Sequence, residues 1–447
     1  MDKPFFDNFF RQAPASLDLP AIREEWLSLG DEYDVESWQL PLPLWAQRPY
    51  NDSGERAWQA LTQDLAGTDS SRPMCIYIHI PFCSSKCGFC DSYSFKLENH
   101  RDAHIEKYLE RICAELRLWS HTENLSQRPV STVHLGGGTP AYLGESAMRR
   151  LVECYRENFA ISPNTEWALE TTVESLTPIM IATLHDLGFR RLHIGVQTME
   201  NRVRATIGRR RSSEEVLQAT QATLALGWIV SVDLLCGLPG QTLEGYLEGI
   251  QSLMAVGVNG FSLYELLIRS QNHRWAEFHG LTRRSHLPNY FMMQAGANLL
   301  ESNGYHKNLF NHWADKKDTN VYFTFPRREE DCLAIGAIAD GVFGDYHYRH
   351  PRYQSYLETD ESHSPGLEGG LRRNAQETKL QPLTAAILSA SIQQDLFADF
   401  NRIIISGIPL IERWLAHSLV RWDANGGLDL TTNGTWFAGN MVTELKS

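Results

Sequence analysis

The chain has 447 residues, 43 % of them hydrophobic, and a net charge of −13. That is enough for one large domain with appendages, and the acidic balance argues against nucleic-acid binding as a main task, since phosphate contact needs clustered Lys and Arg. No run approaches the ~18–20 apolar residues of a membrane helix, so no membrane span is expected.

The first stretch lacks the basic region and apolar core of a signal peptide, and eight cysteines in a chain this long form no disulfide framework. A cytoplasmic location is expected. Residues 1–73 read as an N-terminal extension carrying Trp26, Trp38, Trp45 and Trp58. Disordered tails are poor in such residues, so this piece packs on something. Strand-like segments then begin near Cys75, Thr132, Trp167, Leu192, Val230 and Phe261. Each is followed by a stretch of helical period: 104–119, 146–159, 178–187, 213–226, 243–256 and 288–303. Such alternation implies an α/β fold with a parallel sheet covered by helices. The six units and their rim are assigned to residues 74–345, a polar and Gly-rich linker to 346–375, and a small C-terminal domain to 376–447. That last piece reads as a helical region, two short strands around a turn from Leu419, and a terminal helix.

Cys83, Cys87 and Cys90 follow the first strand within eight residues. Structural zinc sites usually take two separated ligand pairs, and no second Cys-x-x-Cys or Cys/His pair occurs later. A [4Fe–4S] cluster accepts thiolates at its iron corners, and three cysteines leave one iron open to a small molecule. Gly88 lets the loop wrap tightly. The other five cysteines lie scattered in apolar or helical stretches and read as small hydrophobes.

Cys-x3-Cys-x2-Cys after Tyr77-Ile-His-Ile-Pro-Phe82 resembles the radical S-adenosylmethionine (SAM) superfamily, in the branch of oxygen-independent coproporphyrinogen III oxidase and the haem chaperones. Gly136-Gly-Gly-Thr-Pro140, Glu170-Thr-Thr, Gly195-Val-Gln197, Ile207-Gly-Arg209 and Asp233-Leu-Leu-Cys-Gly-Leu-Pro-Gly-Gln-Thr242 continue the likeness in order. It covers residues 74–345 well and the C-terminal end more loosely. It implies an incomplete (β/α)6 TIM-like barrel of the radical SAM type, with a small helical or winged C-terminal domain. The implied cofactors are a [4Fe–4S] cluster on Cys83, Cys87 and Cys90, and two SAM molecules side by side. Tyr77, Gly137 and Glu170 match positions around one SAM. Phe89, Gly138, Thr139, Gln197, Arg209, Asp233 and Leu267 match positions around the other, Leu267 by strand spacing alone. Gly136 opens the glycine run, where bare backbone can approach a zwitterion closely. Singly, Glu170, Gln197, Arg209 or Asp233 could be an ordinary salt-bridge or capping residue. A flavodoxin- or ferredoxin-type electron donor is implied as well.

Two departures narrow the subgroup. The decarboxylating oxidase carries a fourth cysteine where Ser92 stands, and the chaperones carry His-Asn-x-x-Tyr where this chain has Thr319-Asn-Val-Tyr-Phe323. What remains resembles the radical SAM C-methyltransferases of the branch. In these a 5′-deoxyadenosyl radical activates the methyl of a second SAM, for methyl, methylene or cyclopropane transfer to an sp² carbon of a small-molecule or tetrapyrrole substrate. Oxidative decarboxylation of a porphyrinogen, other tetrapyrrole chemistry and haem carriage without turnover are the alternatives.

Substrate-side candidates are Glu265 and Tyr264 near the end of the sixth strand, and His312 within the polar-aromatic stretch Asn308, Asn311, His312, Trp313. A histidine there is more often a hydrogen-bonded structural residue than a proton shuttle. Tyr346, His347, Tyr348 and His350 form a second cluster, which could face a planar ligand or haem iron or could simply be an aromatic surface turn.

Overall fold

The computed structural model describes residues 3–99, 102–160, 162–359, 363–396 and 407–446. Residues 1–2 of the expected extension, 360–362 of the expected linker, and 397–406 and 447 of the expected C-terminal domain lie outside the described residues.

Six strands carry the architecture: β1 (Met74–Ile80), β2 (Val130–Gly137), β3 (Glu166–Thr171), β4 (Arg191–Gln197), β5 (Ile229–Cys236) and β6 (Gly260–Glu265). They are neighbours in chain order and all parallel. Each is followed by a covering helix: α1 (Ala103–Ser120), α2 (Glu145–Asn158), α3 (Pro178–Asp186), α4 (Ser213–Leu224), α5 (Leu243–Ala255) and α6 (Leu287–Ser302). The expected α/β fold of six units is the one observed, with boundaries moved by a few residues at most. In β1 the alternation buries Ile76, Ile78 and Ile80 under the helices and sets Tyr77 and His79 on the other face, where the tyrosine hydroxyl meets His79 Nδ1 at 3.0 Å. Local signals fix the helix ends. Ser212 and Glu215 form a capping box at α4, Thr177 and Thr242 cap α3 and α5, and Gly188 (φ +95°) stops α3 in the left-handed region.

The sheet extends beyond the six units. Past β6 run the antiparallel strands β8 (His312–Ala314) and β7 (His306–Leu309). Past β1 come β9 (Asp331–Ile335), parallel to it, then antiparallel β10 (Asp340–Phe343), β11 (Tyr346–Arg349) and β12 (Gly369–Arg372), with the short pair-forming stretch Asp52–Ser53 at the edge. The end strands do not pair with each other among the described residues.

This corrects the expected linker. Residues 346–375 hold two strands of the main sheet, and Gly369 and Gly370, which suggested a flexible connector, sit where Tyr50 and Tyr346 press against the backbone. Tyr346, Tyr348 and His350 likewise form no surface turn: all three are buried. His350 hydrogen-bonds the Ala339 carbonyl at 3.0 Å and Glu115 at 2.6 Å, which leaves no nitrogen for a metal.

The residues before β1 pack on the barrel. Phe6, Phe10 and Trp26 surround Phe291 of α6 with ring centroids 5.3, 5.4 and 5.1 Å away, and Trp58 meets Trp119 of α1 edge-on at 4.9 Å. Burying each such ring stabilises by about 1.5–3 kcal/mol. Near the other end, Ser391–Ile392, Val420–Trp422 and Leu428–Leu430 make a small antiparallel sheet before the helix Thr432–Glu444. Its first strand has only two residues, too short for a periodic signal.

Candidate active site

A cavity of about 340 Å³ opens at the carboxyl ends of β1–β6, the end at which parallel α/β sheets bind ligands. Cys83, Cys87 and Cys90 line it together with Phe89. So do Gly137, Gly138 and Thr139 from the end of β2, Glu170 from β3, Gln197 from β4, Arg209, Asp233 from β5, and Tyr264, Glu265 and Leu267 at the end of β6. Three expected residues do not line it. Gly136 and Tyr77 stack beneath the wall, where a Cβ on Gly136 would stand 2.8 Å from the Tyr77 ring. His312 lies deeper in the sheet, fully buried.

The cysteine loop is built to lie close to the glycine run. Gly138 N–H donates to the Ile80 carbonyl and Thr139 N–H to that of Phe82, both at 2.8 Å. A Cβ on Gly138 would come within 2.7 Å of the Phe82 carbonyl oxygen and 3.1 Å of Cys83 Sγ, so only glycine fits. Gly137 has φ +109° and would meet the His79 ring at 2.6 Å. On the far side of the loop, Asn272 Nδ2 donates to the carbonyls of Phe89 (2.7 Å) and Leu267 (2.8 Å), tying it to the exit of β6.

The three thiols are half-buried and none is in a disulfide, whereas the other five cysteines are buried. Among the described residues no three Cys, His, Asp or Glu side chains form a single-ion metal site. An iron–sulfur cluster presents separate iron corners, so its ligands need not converge on one point as those of a single ion do. Three thiols on one short loop, facing one cavity against a backbone without side chains, fit such a group. Burial pushes the Cys87 thiol up and Arg209 partly offsets it; coordination would deprotonate it outright.

The polar wall is organised around two acids. Burial alone would raise the Glu170 pKa, but His134 (3.0 Å) and the Gly137 N–H (3.2 Å) outweigh it and hold the carboxyl below its usual range. Asp233 goes the other way. Burial, then repulsion by Glu170, push it up to about 7. Arg209 is held by Glu174 at 3.5 Å and lies 5.8 Å over the Phe89 ring. Gln197 ends its strand at φ +70°, a costly conformation for a non-glycine residue. A Cβ at Gly195 would meet the Gln197 amide at 2.9 Å, so the bare strand there makes room for it.

Glu265 faces the cavity but its oxygens are taken. They accept from Trp38 N–H (2.8 Å), His286 Nδ1 (2.7 Å), Asn289 Nδ2 (2.6 Å) and, more weakly, Ser37 Oγ (3.4 Å). Such a group anchors and has little capacity left for proton transfer. His312 is placed by Ser262 at 2.8 Å and Asp318 at 2.9 Å, and Asp318 also receives Arg191 and Ser231. Sequence reasoning missed Glu174, Asn272, His193 and the wall residue Trp38. Only Glu174 had a local signal, four positions after Glu170 near the exit of the same strand.

Comparison with known proteins agrees with this geometry. The radical SAM superfamily matches residues 77–253. Anaerobilin synthase of Escherichia coli O157:H7 is 26 % identical over 399 residues, covering 88 % of this chain and 87 % of that one. The haem chaperone HemW of Mycobacterium tuberculosis is 31 % identical over 198 residues, and the oxygen-independent coproporphyrinogen III oxidase of Salmonella typhimurium 30 % over 195. These two matches span 50 % and 42 % of the relatives' own lengths. Coproporphyrinogen III oxidase (HemN) of Escherichia coli shares the fold, with a TM-score of 0.74 at 21 % identity over 93 % of this chain and all of that one. Residues 77–253 are a radical SAM domain. Its homologues are the coproporphyrinogen III oxidases, the haem chaperones and anaerobilin synthase, and its cofactors are those of the superfamily, a [4Fe–4S] cluster and SAM. Among the described residues no helix is long and apolar enough to cross a membrane.

Proposed function

We propose that this enzyme binds two SAM molecules and transfers a methyl-derived carbon to an sp² carbon of a tetrapyrrole. When bound, the cluster and SAM supply a 5′-deoxyadenosyl radical, given one electron from a flavodoxin- or ferredoxin-type donor. Cys83, Cys87 and Cys90 would hold the cluster, leaving one iron corner open.

The observation that carries the reading is the pair of carboxylates, Glu170 and Asp233, facing one cavity from β3 and β5. Each repels the other's charge, and cationic or hydroxyl-bearing ligands between them relieve both. Glu170 and Gly137 would frame one SAM, with Tyr77 backing that wall from beneath. Asp233, Gln197, Arg209, Gly138, Thr139, Phe89 and Leu267 would frame the other, with Arg209 on its carboxylate and Gln197 on amino or ribose groups. Tyr264, kept protonated by burial, would offer its hydroxyl on the substrate side. The tetrapyrrole is supported by a relative that aligns over 88 % of this chain and 87 % of its own, which is named anaerobilin synthase. Ser92, in place of a fourth cysteine, argues against decarboxylation.

The test is anaerobic incubation of reconstituted protein with dithionite, iron protoporphyrin and methyl-deuterated SAM. Deuterium in 5′-deoxyadenosine, S-adenosylhomocysteine and a tetrapyrrole heavier by one SAM-derived carbon are expected. Unlabelled 5′-deoxyadenosine, or an unchanged tetrapyrrole, would overturn the reading.

A further inference from the structure

Charge is not spread evenly over this chain. In a protein of net charge −13, residues 269–286 hold four arginines and one carboxylate, Glu277. Arg269, Arg274 and Arg283 are exposed, and none of them makes an ion pair among the described residues. An acidic partner is repelled by the molecule as a whole and attracted here.

This segment leans on the cysteine loop. It leaves β6 and forms the short helix His273–Phe278. Asn272, just before the helix, donates to the Phe89 carbonyl, and the Trp275 ring covers Gly88 so closely that a Cβ there would run into it. Gly88 follows Cys87 directly. From Trp275 an aromatic surface continues outward: the His279 ring is 4.8 Å from Trp275, and the Phe278 ring 5.1 Å from His279. Phe278 is 85 % exposed, the most of any large hydrophobic side chain among the described residues. Arg274 lies four positions before it on the same helix, so the cation and the ring share one face.

None of Arg269, Arg274, Phe278 and Arg283 lines the active cavity. The face therefore serves something that reaches the cysteine loop without entering the cavity. A cluster on Cys83, Cys87 and Cys90 needs its electron from outside the chain, and an exposed ring beside unpaired arginines has the composition of a protein interface core.

We propose that this face is the docking site of an acidic, flavodoxin-type electron carrier. The arginines would meet its carboxylates, and Phe278 would meet the exposed apolar edge of its flavin. One electron passes from the carrier, oxidised by one equivalent, to the cluster, reduced by one; no bond forms and no proton moves. The proposal rests on the cluster assignment above.

Reconstituted full-length protein is mixed anaerobically with reduced flavodoxin, and loss of the cluster absorbance is followed by stopped flow. Dithionite, which needs no docking, is the parallel reductant. Arg274→Glu, Arg283→Glu and Phe278→Ala are compared with wild type. The flavodoxin rate constant is expected to fall about tenfold in each charge reversal and about threefold in Phe278→Ala, with the dithionite rate unchanged. Raising the salt from about 50 to about 300 mM should slow wild type far more than Arg274→Glu. Equal flavodoxin rates in wild type and the charge reversals would overturn the proposal, as would wild-type protein that dithionite reduces and flavodoxin does not. A dithionite rate that falls along with the flavodoxin rate would place the loss in the cluster itself and overturn it too. Failure of the cluster assignment reads differently and takes the docking role with it: wild type then has no absorbance for either reductant to bleach.

Discussion

The backbone N–H of Trp38 donates to Glu265 Oε2 at 2.8 Å, across 227 positions of the chain. One bond thus ties the extension to the end of β6, and the Trp38 ring closes one side of the active cavity, edge-on to Tyr264 at 5.7 Å. Because Glu265 also holds His286 and Asn289, Glu265→Ala would strand several buried donors at once. A loss of about 2–4 kcal/mol is expected, with faster proteolysis ahead of residue 74. A variant whose denaturation midpoint stays at the wild-type value would refute the anchoring role.

Replacing Cys83, Cys87 and Cys90 together by Ala should remove iron, sulfide and the visible absorbance of reconstituted protein. Replacing Cys113 and Cys154, buried between α1 and α2, should leave them in place. Iron retained in the triple variant would sink the ligand assignment.

Gly138→Ala drives a methyl group toward the Phe82 carbonyl oxygen and amide nitrogen, backbone atoms that cannot rotate away, and crowds Cys83 Sγ. The expected cost is about 1–3 kcal/mol, together with poor cluster retention measured as iron per chain. Full occupancy would show that the loop has more slack than these distances allow.

Asp233 gives a pH signature. Its folded-state pKa near 7 lies above the ordinary carboxyl value of 3.8, so between these pH values the folded protein holds a proton that the unfolded chain has released. Stability from this group is complete below pH 3.8, falls as pH rises toward 7 and is level above that. Asp233→Asn should flatten that slope and stabilise SAM-free protein at pH 8 by up to a few kcal/mol, while weakening SAM binding. Parallel pH–stability curves for the two proteins would contradict the shift.

His312 separates structure from catalysis. Its two bonds, to Ser262 and Asp318, are buried beneath the cavity. His312→Gln should cost about 1–3 kcal/mol in denaturant unfolding and leave the pH profile of 5′-deoxyadenosine formation unchanged. A displaced profile would restore a role in proton transfer.

Much of this molecule is legible in its sequence, and the reasons are local. The six βα units declare themselves because the strands are largely buried on both faces and four of the six helices carry a side-chain N-cap, as Ser212 and Glu215 do for α4. The cysteine loop and the glycine run are contiguous words with one chemical meaning. Asn272 and Trp38 were out of reach because their partners, Phe89 and Glu265, lie 183 and 227 positions away and no periodicity connects them. Strand β11 was hidden by shortness and β12 by its glycines, which mimic a connector until pairing gives them a neighbour. Glu265 and His312 are residue types that catalysis uses, and both are already engaged by neighbours within the fold. A sequence shows that a group can titrate, but not that its lone pairs are already taken.

The seating of Trp38 also sets an order on assembly. Its backbone waits for Glu265 and its indole N–H for the carbonyl of Thr435, 397 positions downstream. Synthesis runs from the N-terminus, so the wall of the active cavity that is made first is fastened last. Until Thr435 has left the ribosome, that wall lacks one of its two anchors.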